Sequence, residues 1–335
     1  MDRRRLGRTD LEVSVIGLGG IPIQGLDDAR ATDVIAAAVD AGIDFFDSAR
    51  GYTDSEAKLG RALAPHRDRV TLATKSMARG ADEMRADVER SLGELATDRI
   101  DLYQLHNVAS AADLERVLGP GGALEALERA RDAGAVRWIG ITGHSRPILV
   151  RALASGRFDT VQHPLNPIEV EWLEEVVPAA REAEAGVIAM KPAAGGALDA
   201  VPAALRWSLH RGADAVIPGM DAVEQVRANA AVGRDLRPPD AEELAALERD
   251  RRAWGGQFCR RCGYCKPCPN DLDIPALLLL EAYYTRYALR DWALARLAGL
   301  EKRYADCAAC GECVERCPYR LPIPELMAAA AERVV

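Results

Sequence analysis

Short, nearly continuous apolar runs recur along the first 235 residues, at 13–18, 43–47, 70–75, 100–106, 136–142, 160–163, 187–191 and 215–218. Runs of this length without alternation fit strands buried on both faces, as in a parallel sheet. Between them, apolar residues return every three to four positions at 29–41, 55–63, 82–95, 122–133 and 173–185, the period of amphipathic helices. Gly42 and Gly134 follow two of these stretches, where a helix C-terminus takes a left-handed residue. The pattern predicts eight strand–helix units, and about 235 residues is the size of an α/β (β/α)8 TIM barrel. The competing architecture is a doubly wound open sheet, which would carry Gly-x-Gly-x-x-Gly after its first strand. Here Gly17-Leu-Gly-Gly20 runs into Ile21-Pro22 instead of a helix start, and the barrel is the better reading.

The pattern changes after residue 235. A Pro-marked turn at Pro238-Pro239 leads into a polar helix, and Gly255-Gly256 then breaks the periodicity. The predicted organisation is a barrel at 1–235, a helical linker at 236–254 and a small, mainly α domain at 255–335. All eight cysteines fall in that last region, as Cys259-x-x-Cys262-x-x-Cys265-x-x-Cys268-Pro and Cys307-x-x-Cys310-x-x-Cys313-x-x-x-Cys317-Pro. The second run has the spacing of bacterial ferredoxins, and the first is one residue shorter before its last cysteine. Three thiolates in a tight loop seat three corners of a cubane, and the fourth comes from elsewhere. By analogy with two-cluster ferredoxins, Cys259, Cys262, Cys265 and Cys317 would hold one 4Fe–4S cluster, and Cys307, Cys310, Cys313 and Cys268 the second. Structural zinc favours paired Cys-x-x-Cys knuckles, and disulfides need an oxidising compartment, so both are poorer readings. The segment 276–297 is rich in Leu, Ala and Tyr at helical spacing; Tyr283, Tyr284, Tyr287 and Trp292 would cover the clusters or dock the tail on the barrel.

Charge narrows the partners. A formal charge of −8 argues against a nucleic-acid binder. No apolar run reaches the roughly 20 residues of a membrane span, and no apolar stretch follows Arg3-Arg-Arg5 as in a secretory signal, so a cytoplasmic location is expected. Lysine is scarce: only Lys58, Lys75, Lys191, Lys266 and Lys302 stand against 38 arginines. A lysine at a site-like position therefore draws notice.

Barrel chemistry collects at the C-terminal ends of the strands. Asp47 ends the second predicted strand, with Tyr52 five residues on; Lys75 ends the third and His106 the fourth. Thr142-Gly-His144, Gln162-His163, Asn166 and Met190-Lys191-Pro192 follow at later ends. Asp, Tyr, Lys and His at neighbouring strand ends make a coherent proton-transfer set. A tyrosine titrates near 10, and a nearby ammonium would lower it toward useful range. A carboxylate would hold the lysine charged and aimed, and a histidine would orient a substrate oxygen. Taken singly, a helix cap, a core histidine and a packing tyrosine explain three of these equally well; four in consecutive turns are harder to dismiss.

At these residues the chain resembles the aldo-keto reductases. The match runs through Phe45-Phe-Asp47-Ser-Ala-Arg-Gly-Tyr52, Ser55-Glu56, Leu59-Gly60, Thr74-Lys75, Asp101-Leu-Tyr-Gln-Leu-His106, Val136-Arg-Trp-Ile-Gly-Ile141 and Val216-Ile-Pro-Gly219. With its tail, the whole is similar to the iron–sulfur-containing branch of that family. The resemblance implies NADH or NADPH bound without a Rossmann fold, and Tyr52 as general acid supported by Lys75, Asp47 and His106. It implies cofactor contacts at Thr142, Gln162, Met190, Lys191 and Pro192, then at Gly219, Gln225 and Asn229. Thr142-Gly143 replaces the family's Ser-Asn, and Met190 stands where an aromatic usually stacks. Gly219 and Gln225 occupy the positions of the Lys and Arg that grip a 2′-phosphate, which removes charge-assisted bonds favouring NADPH.

Two functions follow as expectations. The first is an NAD(P)H-linked oxidoreductase acting on a small carbonyl or alcohol, carrying two 4Fe–4S clusters. The alternative is an iron–sulfur electron-transfer protein whose barrel binds a nucleotide, a flavin or a redox partner, with a ferredoxin or flavoprotein as candidate partner. A scaffold gated by cluster occupancy is a third, less specific reading.

Overall fold

The computed structural model describes residues 1–334. Ten strands are present: β1 (Arg3–Arg5), β2 (Glu12–Ser14), β3 (Leu18–Gly19), β4 (Phe45–Asp47), β5 (Thr71–Ser76), β6 (Ile100–Leu105), β7 (Val136–Thr142), β8 (Thr160–Pro164), β9 (Gly186–Met190) and β10 (Ala215–Ile217). β3 to β10 form one parallel sheet in sequence order. Parallel bridges Ile16↔Val216 and Gly19↔Gly219 bring its two ends together, giving the (β/α)8 barrel. Gly17 N donates to Val216 O at 2.8 Å and Gly19 N to Pro218 O at 2.9 Å. A Cβ on Gly19 would lie 2.8 Å from Ile217 O, so this seam needs glycine.

The run at 13–18 is not one strand. Val13 and Ser14 belong to the β1–β2 antiparallel hairpin; Ile16 meets the barrel through a single bridge to Val216, and Leu18 and Gly19 form the strand that pairs with β4. The hairpin lies across the N-terminal end, where Leu6, Leu11 and Val13 pack with Phe45, Ala73, Leu102, Ile188, Ala215 and Ile217. This apolar layer fills the lower interior. Side chains two residues further along the same strands point the same way. Phe45 is thus followed inward by Asp47, Ala73 by Lys75, Leu102 by Gln104 and Ile188 by Met190. One end of the cylinder is greasy and closed, and the other presents chemistry.

Helices alternate with the strands and pack their apolar stripes outside the barrel, as Ala123–Asp132 does with Leu124 and Leu127. The helix Ala241–Trp254 begins at a capping box of Asp240 and Glu243, and Glu243 also takes Arg206 at 3.2 Å. The tail has four helices, Ile274–Thr285, Arg290–Ala298, Glu312–Arg316 and Ile323–Arg333. Its core joins Leu272, Leu277, Tyr304, Ile323 and Met327 to Cys265, Cys313 and Cys317. The segment read as one helix over 276–297 is two. Ala288 turns left-handed (φ 53°) and Leu289 N donates back to Tyr283 O at 3.0 Å. The break seats Tyr287 against Gly195 and stacks Tyr283 edge-on to both Tyr287 and Trp292.

Candidate active site

The polar layer is built around one ion pair. Lys75 Nζ lies 2.5 Å from Asp47 Oδ1 and donates to Ser48 O at 2.7 Å. Both residues are buried, at 1% and 2% exposure. Gln104 Nε2 donates to Asp47 Oδ2 at 3.1 Å and to Gln162 Oε1 at 3.0 Å. Burial pushes the Asp47 carboxyl above its usual range, against the pull of the Lys75 ammonium and the two amides. Gln104 was not singled out in the sequence, although a polar residue two positions before His106 on a buried strand carries that signal.

Tyr52 is held by a stiff loop. Arg50 N donates to Lys75 O at 3.0 Å and Tyr52 N to Ala49 O at 3.0 Å. The Arg50 guanidinium pairs with Glu56 and, at 2.9 Å, with Glu94. Thr74 Oγ1 donates to Glu56 at 2.6 Å. Lys75 Nζ stands 5.1 Å from the Tyr52 ring centroid, and the His106 ring meets Tyr52 edge-on at 5.9 Å. The structure therefore brings Asp47, Tyr52, Lys75 and His106 together at one rim.

The expected lowering of the Tyr52 pKa is absent. Burial pushes the phenol well above 10, and Asp47, Tyr283 and Tyr287 add to this, with Arg261 opposing. The physical reason is burial, which disfavours the phenolate, and the Lys75 ammonium that was expected to offset it is paired with Asp47. His106 is driven well below its usual range by burial and then by Lys75, Lys191, Arg79 and Arg296, so it is a neutral imidazole at pH 7. Its Nδ1 is buried without a partner in the protein.

A cleft of about 340 Å³ opens beside this group. Tyr52 and Asp47 line it, together with Gln162, Met190, Lys191, Pro192, Gly219, Gln225 and Asn229. Thr142 lies apart from it: its Oγ1 accepts from Asn107 N at 2.9 Å, which braces the turn after β6. Gly19, Gly20, Gly195, Gly196 and Gly219 expose bare backbone along the cleft. Gln225 Oε1 accepts from Asp221 N at 2.9 Å, and Asp221 also borders the space.

The tail covers part of the mouth. Arg296 Nη2 donates to Gly51 O at 3.3 Å, Arg286 Nε to Gly195 O at 3.2 Å and Arg260 Nη2 to Ile168 O at 3.1 Å. Arg286 and Tyr287 form part of the cleft wall. Sequence reasoning gave Tyr287 a docking role but missed Arg260, Arg261, Arg286 and Arg296, because nothing local marks a tail side chain as facing a barrel; it also missed the buried Glu169 of the barrel itself.

The cysteines gather in two adjoining groups. Cys259 feels Cys262 and Cys317, Cys313 feels Cys307, Cys310 and Cys268, and Cys265 feels Cys259, Cys262 and, across the groups, Cys313. Burial pushes Cys259 up to about 11 and Cys265 up to about 12. Buried thiols of this kind ionise readily only when a metal takes the charge. Among the described residues no three His, Cys, Asp or Glu side chains close around a single ion.

Residues 15–202 match the model of the aldo/keto reductase family, and residues 258–322 match that of a 4Fe–4S dicluster domain. Aldo-keto reductase YhdN of Bacillus subtilis is 33% identical over 201 residues, spanning 54% of this chain and 59% of that relative. The oxidoreductase YrpG of the same organism is 32% identical over 228 residues, 59% of this chain and 68% of that relative. Aldo-keto reductase AKR11C1 from Bacillus halodurans, solved in its holo form, superposes with a TM-score of 0.64 at 25% identity over 75% of this chain and 96% of that one. With a paired Asp and Lys beneath a tyrosine at the rim of eight parallel strands, and with that family model matched over more than half its length, the chain belongs to the aldo/keto reductase family and carries a 4Fe–4S dicluster domain at its C-terminal side.

Proposed function

We propose that this protein is an NAD(P)H-linked oxidoreductase that interconverts a small carbonyl compound and its alcohol, with Tyr52 as general acid and base. The observation that carries the reading is the grouping of Tyr52, Lys75, Asp47 and His106 beside one cleft. The cleft fits a dinucleotide. Met190, Pro192 and Ile217 offer apolar faces, Gln162 and Asn229 offer amides, and the glycine backbone leaves room for phosphates. Lys191 stands where it would meet a pyrophosphate. The Asp221 carboxylate beside Gln225 disfavours a 2′-phosphate and tilts the choice to NADH. When bound, the nicotinamide supplies the hydride that reduces the carbonyl carbon.

The protein's own part is the proton. Tyr52 is protonated in the free site and gives its proton to the carbonyl oxygen as the C–H bond forms. The Lys75 ammonium, fixed by Asp47 and Ser48, lies against the ring and offsets the phenolate left behind. Neutral His106 orients the oxygen by a hydrogen bond. The tail carries two 4Fe–4S clusters, on Cys259, Cys262, Cys265 and Cys317, and on Cys307, Cys310, Cys313 and Cys268. No described helix is long and apolar enough to cross a membrane. A reducing cytoplasm suits the clusters.

Replacing Tyr52 by Phe is expected to cut carbonyl turnover 10²–10⁴-fold with nucleotide binding retained; unchanged turnover would remove Tyr52 from the mechanism. One observation favours the electron-transfer reading. Cys259, Lys191 and Tyr287 share a small cavity of about 70 Å³, so the first cysteine run adjoins the nucleotide cleft. Anaerobic NADH titration separates the two. Bleaching of the cluster absorbance supports electron transfer onward to a ferredoxin or flavoprotein. Carbonyl reduction with the absorbance unbleached supports the reductase alone.

A further inference from the structure

The barrel mouth holds buried polar atoms that nothing in the protein satisfies. They are Nη2 of Arg261, Nδ1 of His106 and of His144, and Oε1 of Glu169. Buried polar groups in folded proteins are nearly always paired, so an orphaned guanidinium at a cavity points to a missing ligand. Of the four, Arg261 alone lines the 70 Å³ cavity next to the cleft. It sits between Cys259 and Cys262 with a left-handed backbone (φ 59°), a conformation costly for a residue with a β-carbon. Its guanidinium has no ion-pair partner among the described residues, whereas its neighbour Arg260 faces Glu171 at 3.7 Å.

The surroundings of Arg261 carry excess positive charge. It lines the 70 Å³ cavity with Lys191, Gly195, Arg286 and Tyr287, and all of these but Arg261 also line the cleft beside Tyr52. The cavity is therefore an annex of the cleft that opens beside Tyr52. Glu281 is taken by Arg333 at 3.0 Å and lies 3.9 Å from Arg286, so it offsets one of those two charges. Glu169, held by Asn166 at 2.9 Å, is left to offset both Arg261 and Lys191. The Arg261 charge also bears on Tyr52, His144 and Glu169, and it depresses the Lys191 amine further after burial.

We propose that Arg261, supplied by the cysteine tail, anchors a carboxylate of the substrate, so that the compound reduced at Tyr52 is a small oxo acid. The proposal rests on the carbonyl-reductase reading above. A planar guanidinium fork matches a carboxylate in two parallel hydrogen bonds, and the annex admits a small planar anion next to the proton donor. Because Arg261 lies between two cluster cysteines, the iron-binding loop sets the position of the anchor.

The test uses the cluster-replete protein loaded with NADH, in wild-type, R261Q and R261K forms. Oxamate, an unreactive analogue of a 2-oxo acid, is titrated by calorimetry, and kcat and KM are measured for phenylglyoxylate and for benzaldehyde. R261Q is expected to weaken oxamate binding roughly 10- to 100-fold. It should lower the preference for phenylglyoxylate over benzaldehyde by a similar factor, through KM more than kcat. R261K, which keeps the charge on the same loop, recovers part of both. Equal oxamate affinity in wild type and R261Q overturns the anchor, as does a tenfold loss of NADH affinity in R261Q, which would make Arg261 a nucleotide contact. Benzaldehyde reduction by a wild type that binds no oxamate overturns the anchor and leaves the reductase reading standing. Oxamate binding through Arg261 without turnover of any carbonyl keeps the anchor and removes the reductase reading.

Discussion

The barrel and the tail are held together by different forces. The barrel buries Tyr103, Phe46, Ile35 and their neighbours between strands and helices, and its backbone ladders run from seam to seam. Among its described residues the tail has no strand, its helices are short, and Cys265, Cys313 and Cys317 stand inside its core. Protein interiors gain stability by burying apolar area, and a region this small gains little. Iron ligation, the work of the 4Fe–4S dicluster domain this region matches, would add what such a core lacks. The contrast teaches that one chain can build a polar rim on a densely packed barrel and cover it with a module whose core is lined by cysteines.

Removing iron probes this contrast with the largest effect. After chelation, hydrogen exchange should rise throughout 255–334 while strands such as β6 and β7 keep their protection; loss of protection in both regions would mean that they fold as one unit. Next comes the buried pair at the rim. Lys75→Met strands the Asp47 carboxylate in the interior, which costs about 3–5 kcal/mol. Urea denaturation should show that loss in the barrel transition, and an added Asp47→Leu should restore much of it. If Lys75→Met melts like wild type, the pair is not holding the barrel end.

Acid gives a smaller effect, again confined to the barrel. Burial sets His163 at about 4 and pushes His106 and His144 down as well. Their folded values lie below the unfolded 6.5, so the unfolded chain takes up protons first as pH falls. The stability they contribute is complete above 6.5 and drains away toward pH 4, with His163 accounting for about 3 kcal/mol. Comparing urea midpoints at pH 7 and 4.5 tests this. His163→Asn should flatten the pH slope, and an identical slope in the variant would discount His163. The tail holds no histidine and contributes nothing to that slope.

Much of the barrel was legible because each strand is a local pattern. The polar layer could be read too, since Asp47, Lys75 and His106 end apolar runs. The first run misled because Val13 to Leu18 is apolar both where it covers the barrel floor and where it enters the wall. The helix break at 286–289 has no Gly or Pro to announce it, and it brings Tyr287 against the distant Gly195. Arg261 and Glu169 were invisible for the same reason. Their meaning comes from neighbours more than 50 residues away in sequence for Arg261, such as Lys191 and Tyr52, and sequence periodicity reports only what is near.

Gly51, next to Tyr52, gives its carbonyl oxygen to Arg296 of the tail. The loop bearing Tyr52 is thus held from both modules. A lineage that exchanged this C-terminal module for a relative's would be re-tailoring the Tyr52 loop along with the cysteine runs. Grafting by recombination should accordingly succeed only when the two parts travel together, and chimaeras assembled across the join near residue 255 would inherit the reaction rate of neither parent.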